Sequence, residues 1–173
     1  MKHYLYVTTL LLVLFLACIS TAQQPAKLTI SGDGIQPLEF TKADLTKMPR
    51  LSLDVSDPHS GENRHYEGVR LSDLLAKAAV PLGDKLKGKA LATYVLAQAT
   101  DGYAVVFSLA ELDPAVNDNR IIVADTMDGK QLDQQQGPFR VVVPGEKRPA
   151  RWIRMVILLK VLNAVSPSGS LPR

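Results

Sequence analysis

The residues best suited to chemistry gather late in the chain. Gly137-Pro138-Phe139-Arg140-Val141-Val142-Val143-Pro144-Gly145 runs on into Glu146-Lys147-Arg148-Pro149-Ala150-Arg151-Trp152-Ile153-Arg154. Arg140 puts a guanidinium inside an otherwise apolar strand, where an unpaired charge is costly, so an anion must stand beside it. Lys147, Arg148, Arg151 and Arg154 cluster around Trp152 and offer donors that match phosphate or carboxylate. Two readings follow. In one, this loop holds an anionic ligand. In the other, Arg140 pairs with an internal carboxylate such as Asp101 or Asp125, and the loop is a solvated rim.

Other chemical signals are weak. His59 and His65 lie in or beside a polar loop with Asp57, Glu62 and Glu67, but no HExxH or other tight ligand spacing joins them, and histidines in such loops are usually solvated. No metal ligand set is assigned. The chain also lacks a Gly-x-Ser-x-Gly elbow, a P-loop and a dinucleotide fingerprint. A formal charge of +3, only a mild excess, and low aromatic content speak against nucleic acid as a partner.

The N-terminus has the order of a secretory signal: Lys2, an apolar run from Leu5 to Ile19, then Ser20-Thr21-Ala22. The apolar run is roughly 15 residues, short of the ~20 that span a bilayer. Residues 1–22 are therefore expected to be a cleaved signal peptide, with membrane attachment only through an uncleaved one. The protein is expected to be periplasmic or secreted. Residues 23–166 then form one domain, followed by a Pro/Ser/Gly tail at 167–173 expected to be disordered. The single cysteine, Cys18, lies in the signal. The exported domain thus has no disulfide, thiolate ligand or cysteine nucleophile.

The elements that must position these groups are mostly strands. Lys27 to Ser31 alternates and ends at Gly32-Asp33-Gly34. A short strand follows through Leu38 to Phe40, then a helix that Thr41 can cap. Leu51, Leu53 and Val55 alternate with polar residues, and a polar loop runs from Asp57 to Arg64. Leu71, Leu74, Leu75 and Ala78 recur at helical spacing behind Ser72 and Asp73. Ala92 to Ala97 and Ala104 to Phe107 flank the turn pair Asp101-Gly102, and Ser108-Leu109-Ala110-Glu111 is a capping box. Ile121 to Ala124, Phe139 to Val143 and Ile153 to Leu162 complete the strands. The class is α+β, with mixed, mainly antiparallel sheets and two or three short helices.

Tyr66-Glu67-Gly68-Val69-Arg70-Leu71-Ser72-Asp73-Leu74-Leu75, then Asp101-Gly102-Tyr103, Ile122-Val123-Ala124 with Asp128-Gly129-Lys130-Gln131-Leu132, and Gly137 through Trp152 together resemble the molybdopterin-binding domain of sulfite-oxidase-type enzymes. The resemblance covers most of the exported chain in one order. It implies an oxidoreductase-type fold that holds molybdopterin, with the pterin phosphate among backbone amides and cations. Arg140 matches the arginine of the family's Arg-x-Val-x-Pro-Gly strand, and Arg151 the basic residue before the tryptophan represented by Trp152. Lys147 and Arg148 lie in the same loop. Tyr103 matches a tyrosine that catalytic members place near the substrate oxyanion.

The sequence departs from the family where the metal would be held. Catalytic members present a cysteine thiolate at the end of the strand that here runs Leu51 to Val55, yet Val55, Ser56 and Asp57 stand there. A soft thiolate tunes a metal's electronics, and only oxygen donors remain. The expectation is a binding domain for an anionic small molecule, a pterin phosphate or similar, or for an exported partner protein, without molybdenum catalysis. The alternative is a molybdopterin-dependent oxidoreductase with a non-cysteine ligand, or no protein ligand, to molybdenum.

Overall fold

A computed structural model describes residues 26–165. The expected signal peptide at 1–22 and tail at 167–173 lie outside the described residues. The elements are β1 (Lys27–Gly32), β2 (Ile35–Thr41), α1 (Lys42–Thr46), β3 (Leu51–Ser56), β4 (Asn63–Arg70), α2 (Leu71–Lys77), β5 (Thr93–Ala99), β6 (Ala104–Ser108), α3 (Leu109–Leu112), β7 (Ile122–Met127), β8 (Lys130–Gln131), β9 (Arg140–Val142) and β10 (Val156–Asn163). One sheet runs β2-β1-β10-β5-β6. The other runs β3-β4-β7-β8, with β9 also on β7. Among the described residues only β1 and β10 pair in parallel; every other ladder there is antiparallel. The α+β class with mainly antiparallel sheets is what the sequence led us to expect.

The local signals act as their chemistry demands. Thr41 caps α1 and Ser108 caps α3, each through a reciprocal box with Asp44 or Glu111. Asp101-Gly102 turns the β5–β6 hairpin, with Gly102 at φ +85°. Gly68 is set by a close approach: a Cβ there would stand 2.1 Å from the carbonyl oxygen of Val123 on β7. Both sheets contribute to one apolar core, from Leu28 and Ile30 through Val95 and Phe107 to Val123 and Val141.

Several boundaries differ from expectation. The polar loop stops at Glu62, because β4 takes up pairing with β3 at Asn63. The last strand begins at Val156, three residues later than the apolar run suggests. Met155 takes a left-handed conformation, φ +50°, and the β10–β5 register shifts beside it. A β-strand cannot pass through that geometry, so the chain breaks there and leaves Arg154 exposed at the sheet's end.

Candidate functional site

The site grows from one buried guanidinium. Arg140, on β9, keeps a side chain only 2% exposed, and its Nη2 lies 3.2 Å from Oδ2 of Asp57, itself 7% exposed. Tyr66, fully buried on β4, donates its hydroxyl to the same carboxylate oxygen at 2.5 Å and accepts from Arg140 Nη1 at 2.8 Å. The His59 main-chain N–H donates to Asp57 Oδ1 at 2.8 Å. Gln136 also accepts from Arg140 Nη1. The guanidinium stacks near two rings, 5.2 Å from the Tyr66 centroid and 5.4 Å from that of Trp152, and these rings meet edge to face at 5.9 Å. Such cation–π contact gains strength when water is excluded. Trp152 is held by its indole N–H, which donates to the Val143 carbonyl at 2.8 Å. Arg140 Nε alone in this group is buried without a partner.

Asp57 is thus the anion that the sequence required beside Arg140. It is neither Asp101 nor Asp125: Asp125 takes a bidentate pair from Arg50 at 2.6 and 2.7 Å, and Asp101 accepts from the Tyr103 N–H in the exposed hairpin turn. Sequence reasoning missed Asp57 because its partner on β9 is 83 residues away and nothing local couples them.

Electrostatics follow from this packing. Burial alone would raise the Asp57 carboxyl, but the Tyr66 hydroxyl, the His59 N–H and Arg140 together hold it below the usual carboxylate range. Tyr66 is pushed up by burial and by its bond to Asp57. The His59 ring is pushed down by burial and then by the Arg140 charge, with Asp57 opposing. Its Nδ1 stands 3.3 Å from Arg140 Nη2 and 3.4 Å from Asp57 Oδ1. A neutral ring with a bare Nδ1 accepts from Arg140.

Two cavities open around this group and share His59 and Arg154. The first, about 310 Å³, also takes in Asp101, Tyr103, Ala150 and Met155. The second, about 170 Å³, reaches Asp57, Ser60, Arg64 and Arg140. Arg154 has no ion-pair partner among the described residues. Tyr103, half exposed, donates its hydroxyl to the Ala150 carbonyl at 2.7 Å and so joins the hairpin to the late loop.

The residues singled out from the sequence therefore separate. Arg140 and Trp152 come together in the buried group, and Tyr103 borders the first cavity. Arg151 turns away: its Nε donates to Glu146 at 2.6 Å, its Nη1 to both Glu111 oxygens at 3.1 Å, and it stacks 4.9 Å from Phe107. Lys147 and Arg148 are exposed. His65 sits on the other face of β4, with Nδ1 2.7 Å from Asp54 and Nε2 3.5 Å from Glu67. Among the described residues no three His, Cys, Asp or Glu side chains converge as a metal site requires.

A third cavity, about 540 Å³, lies between β3 and the loop ends at Asp118–Arg120 and Pro144–Gly145. Polar and apolar residues both line it. The metal position is different. Both oxygens of Asp57 have partners within this group, Oδ2 with Tyr66 and Arg140 and Oδ1 with the His59 N–H, so the carboxylate nearest the family's thiolate position is committed to the buried ion pair. With no thiolate at this position and Asp57 paired with Arg140, the donor set does not fit the family's molybdenum centre.

Residues 18–169 match the family model described as "Oxidoreductase molybdopterin binding domain". Among solved structures, the sulfane dehydrogenase SoxCD from Paracoccus pantotrophus is similar, with 25% identity and a TM-score of 0.61 over 83% of this chain. The match spans 40% of that protein's chain. No curated protein matches the chain. With a family model covering nearly its whole length, the chain belongs to the oxidoreductase molybdopterin-binding domain family.

Proposed function

We propose that this chain is an exported binding module on the molybdopterin-binding fold, holding a small anion in the cleft between His59 and Arg154 without molybdenum catalysis. The observation that carries this reading is the Asp57–Arg140 pair. The Asp57 carboxylate is committed to Arg140 and Tyr66, while the adjoining cleft keeps a cation of its own, Arg154, and a neutral His59 able to become one. Anions gather where forked donors converge in partial shelter from water. The basic loop is the weaker site, since Arg151 already spends its donors on Glu111 and Glu146. Export rests on the N-terminal sequence pattern and places the module in the periplasm or outside the cell. Calorimetric titration with sulfate tests the anion site: Arg154→Ala should weaken binding at least about tenfold, roughly the worth of one charged hydrogen bond. Unchanged affinity would remove the cleft from consideration.

A further inference from the structure

The edge of β3 is built to accept another strand. β3 is the outermost strand of its sheet, and its ladder with β4 runs through six consecutive pairs with no register shift. It contains no proline and no lysine, the usual guards of a free edge. The Asp57 N–H donates to Glu62 O at 2.8 Å, and hydrogen-bonded and non-bonded pairs alternate along an antiparallel ladder. Val55, Leu53 and Leu51 therefore bond to β4, whereas the N–H and C=O groups of Ser52, Asp54 and Ser56 point away from it. All three residues are exposed.

The third cavity runs along that edge. It touches Ser52, Leu53, Asp54 and Val55 in succession. Successive side chains of a strand point to opposite faces, so only a groove along the backbone edge meets four in a row. Its far wall is the exposed segment Asp118–Arg120, where the main-chain groups of Asp118 and Arg120 have no backbone partner among the described residues. An extended chain laid in the groove would find donors and acceptors on both sides.

We infer that this groove binds an extended peptide segment of a partner polypeptide, added as a strand beside β3, with an acidic side chain meeting Arg120. Arg120 and Asp118 both line the groove without an ion-pair partner among the described residues, while Asp54 is held by His65, so the groove offers one cation and one anion and an acidic residue is selected only at the Arg120 end. A second copy of this chain is a poor occupant, because antiparallel β3–β3 pairing brings two Asp54 carboxylates together. Main-chain bonds supply the affinity in this mode, and side chains the selectivity.

Ser52→Pro is the sharpest variant. It deletes an N–H that faces the groove and spares the β3–β4 ladder, the one setting in which an edge strand tolerates proline. A phage-displayed library of random linear nonapeptides, selected on the purified chain, should yield sequences that bind Ser52→Pro at least about tenfold more weakly, at unchanged melting temperature. Arg120→Glu, on an exposed loop, should exchange acidic for basic residues in the selected set. Synthetic copies should shift the amide resonances of Ser52, Asp54 and Arg120, and N-methylation at alternate residues should abolish the effect. Equal enrichment on wild type and Ser52→Pro, no enrichment at all, or amide shifts confined to other regions would overturn the proposal. So would free neopterin shifting these amides when no peptide does, an outcome that assigns the groove to a heterocycle.

Discussion

Arg140 and Asp57, 83 positions apart in the chain, meet at 3.2 Å in the interior, and Tyr66 bridges them through one hydroxyl. Removing one member of a buried ion pair strands the other, which typically costs about 3–5 kcal/mol. Asp57→Leu and Arg140→Met should each lose stability in that range. The double variant should lose less than the sum, since it leaves no orphaned charge. Urea denaturation of the four proteins in the cycle gives the coupling energy, and a value near zero would mean that the pair is incidental.

His59 makes the cleft sensitive to pH. Because its folded value is lowered by burial and by Arg140, the unfolded chain takes up the proton first. Its contribution to stability is intact above about 6.5, the free value, and declines as pH falls below it. His65 behaves oppositely: raised by Asp54 and Glu67, it stabilises below its free value and loses that effect as pH rises through its folded one. An anion beside His59 should draw its midpoint upward. Ring-proton NMR titration with and without sulfate reads this, with His65 as the internal reference, and a His59 midpoint indifferent to sulfate would count against the anion site.

The two arginines flanking Trp152 and Ile153 should differ in kind. Arg151 is tied to Glu111 and Glu146 and lies over Phe107, so Arg151→Ala should cost roughly 1 kcal/mol of stability and leave sulfate affinity close to wild type. Arg154→Ala should do the reverse. Melting curves and calorimetry on both variants separate the structural arginine from the binding one.

Gly68 should tolerate no side chain. A Cβ at this position meets Val123 backbone, which cannot swing aside as a side chain would. Gly68→Ala must part β4 from β7 and should destabilise by about 1–3 kcal/mol, with slowed exchange protection lost first at Gly68, Val123 and Ala124. Gly34→Ala, at an exposed turn glycine with open space around it, is the control for conformational cost alone.

Much of this fold was legible because its signals are local. The caps at Thr41 and Ser108, the turn at Asp101-Gly102 and the alternation of Leu51, Leu53 and Val55 each act within a few residues. What was not legible depends on long-range packing. The alternation rule reads through Met155, whose left-handed backbone halts the strand and exposes Arg154. β4 was obscured because its residues Asn63 to Glu67 are polar at the exposed face and carry only Tyr66 inward. At the site, residue type correctly demanded an anion for Arg140, but the choice among Asp57, Asp101 and Asp125 is made by strand register. The 3-10 turn Pro149–Arg151 sets Arg151 against two carboxylates, and the backbone break at Met155 leaves Arg154 at the cleft.

The most direct test concerns the metal. The protein purified from its native exported fraction, after growth with molybdate in excess, should contain far less than one molybdenum per chain by elemental analysis while still binding sulfate. Stoichiometric molybdenum that persists through dialysis would contradict the account, because it would require Asp57 to release Arg140 or the metal to be held without it.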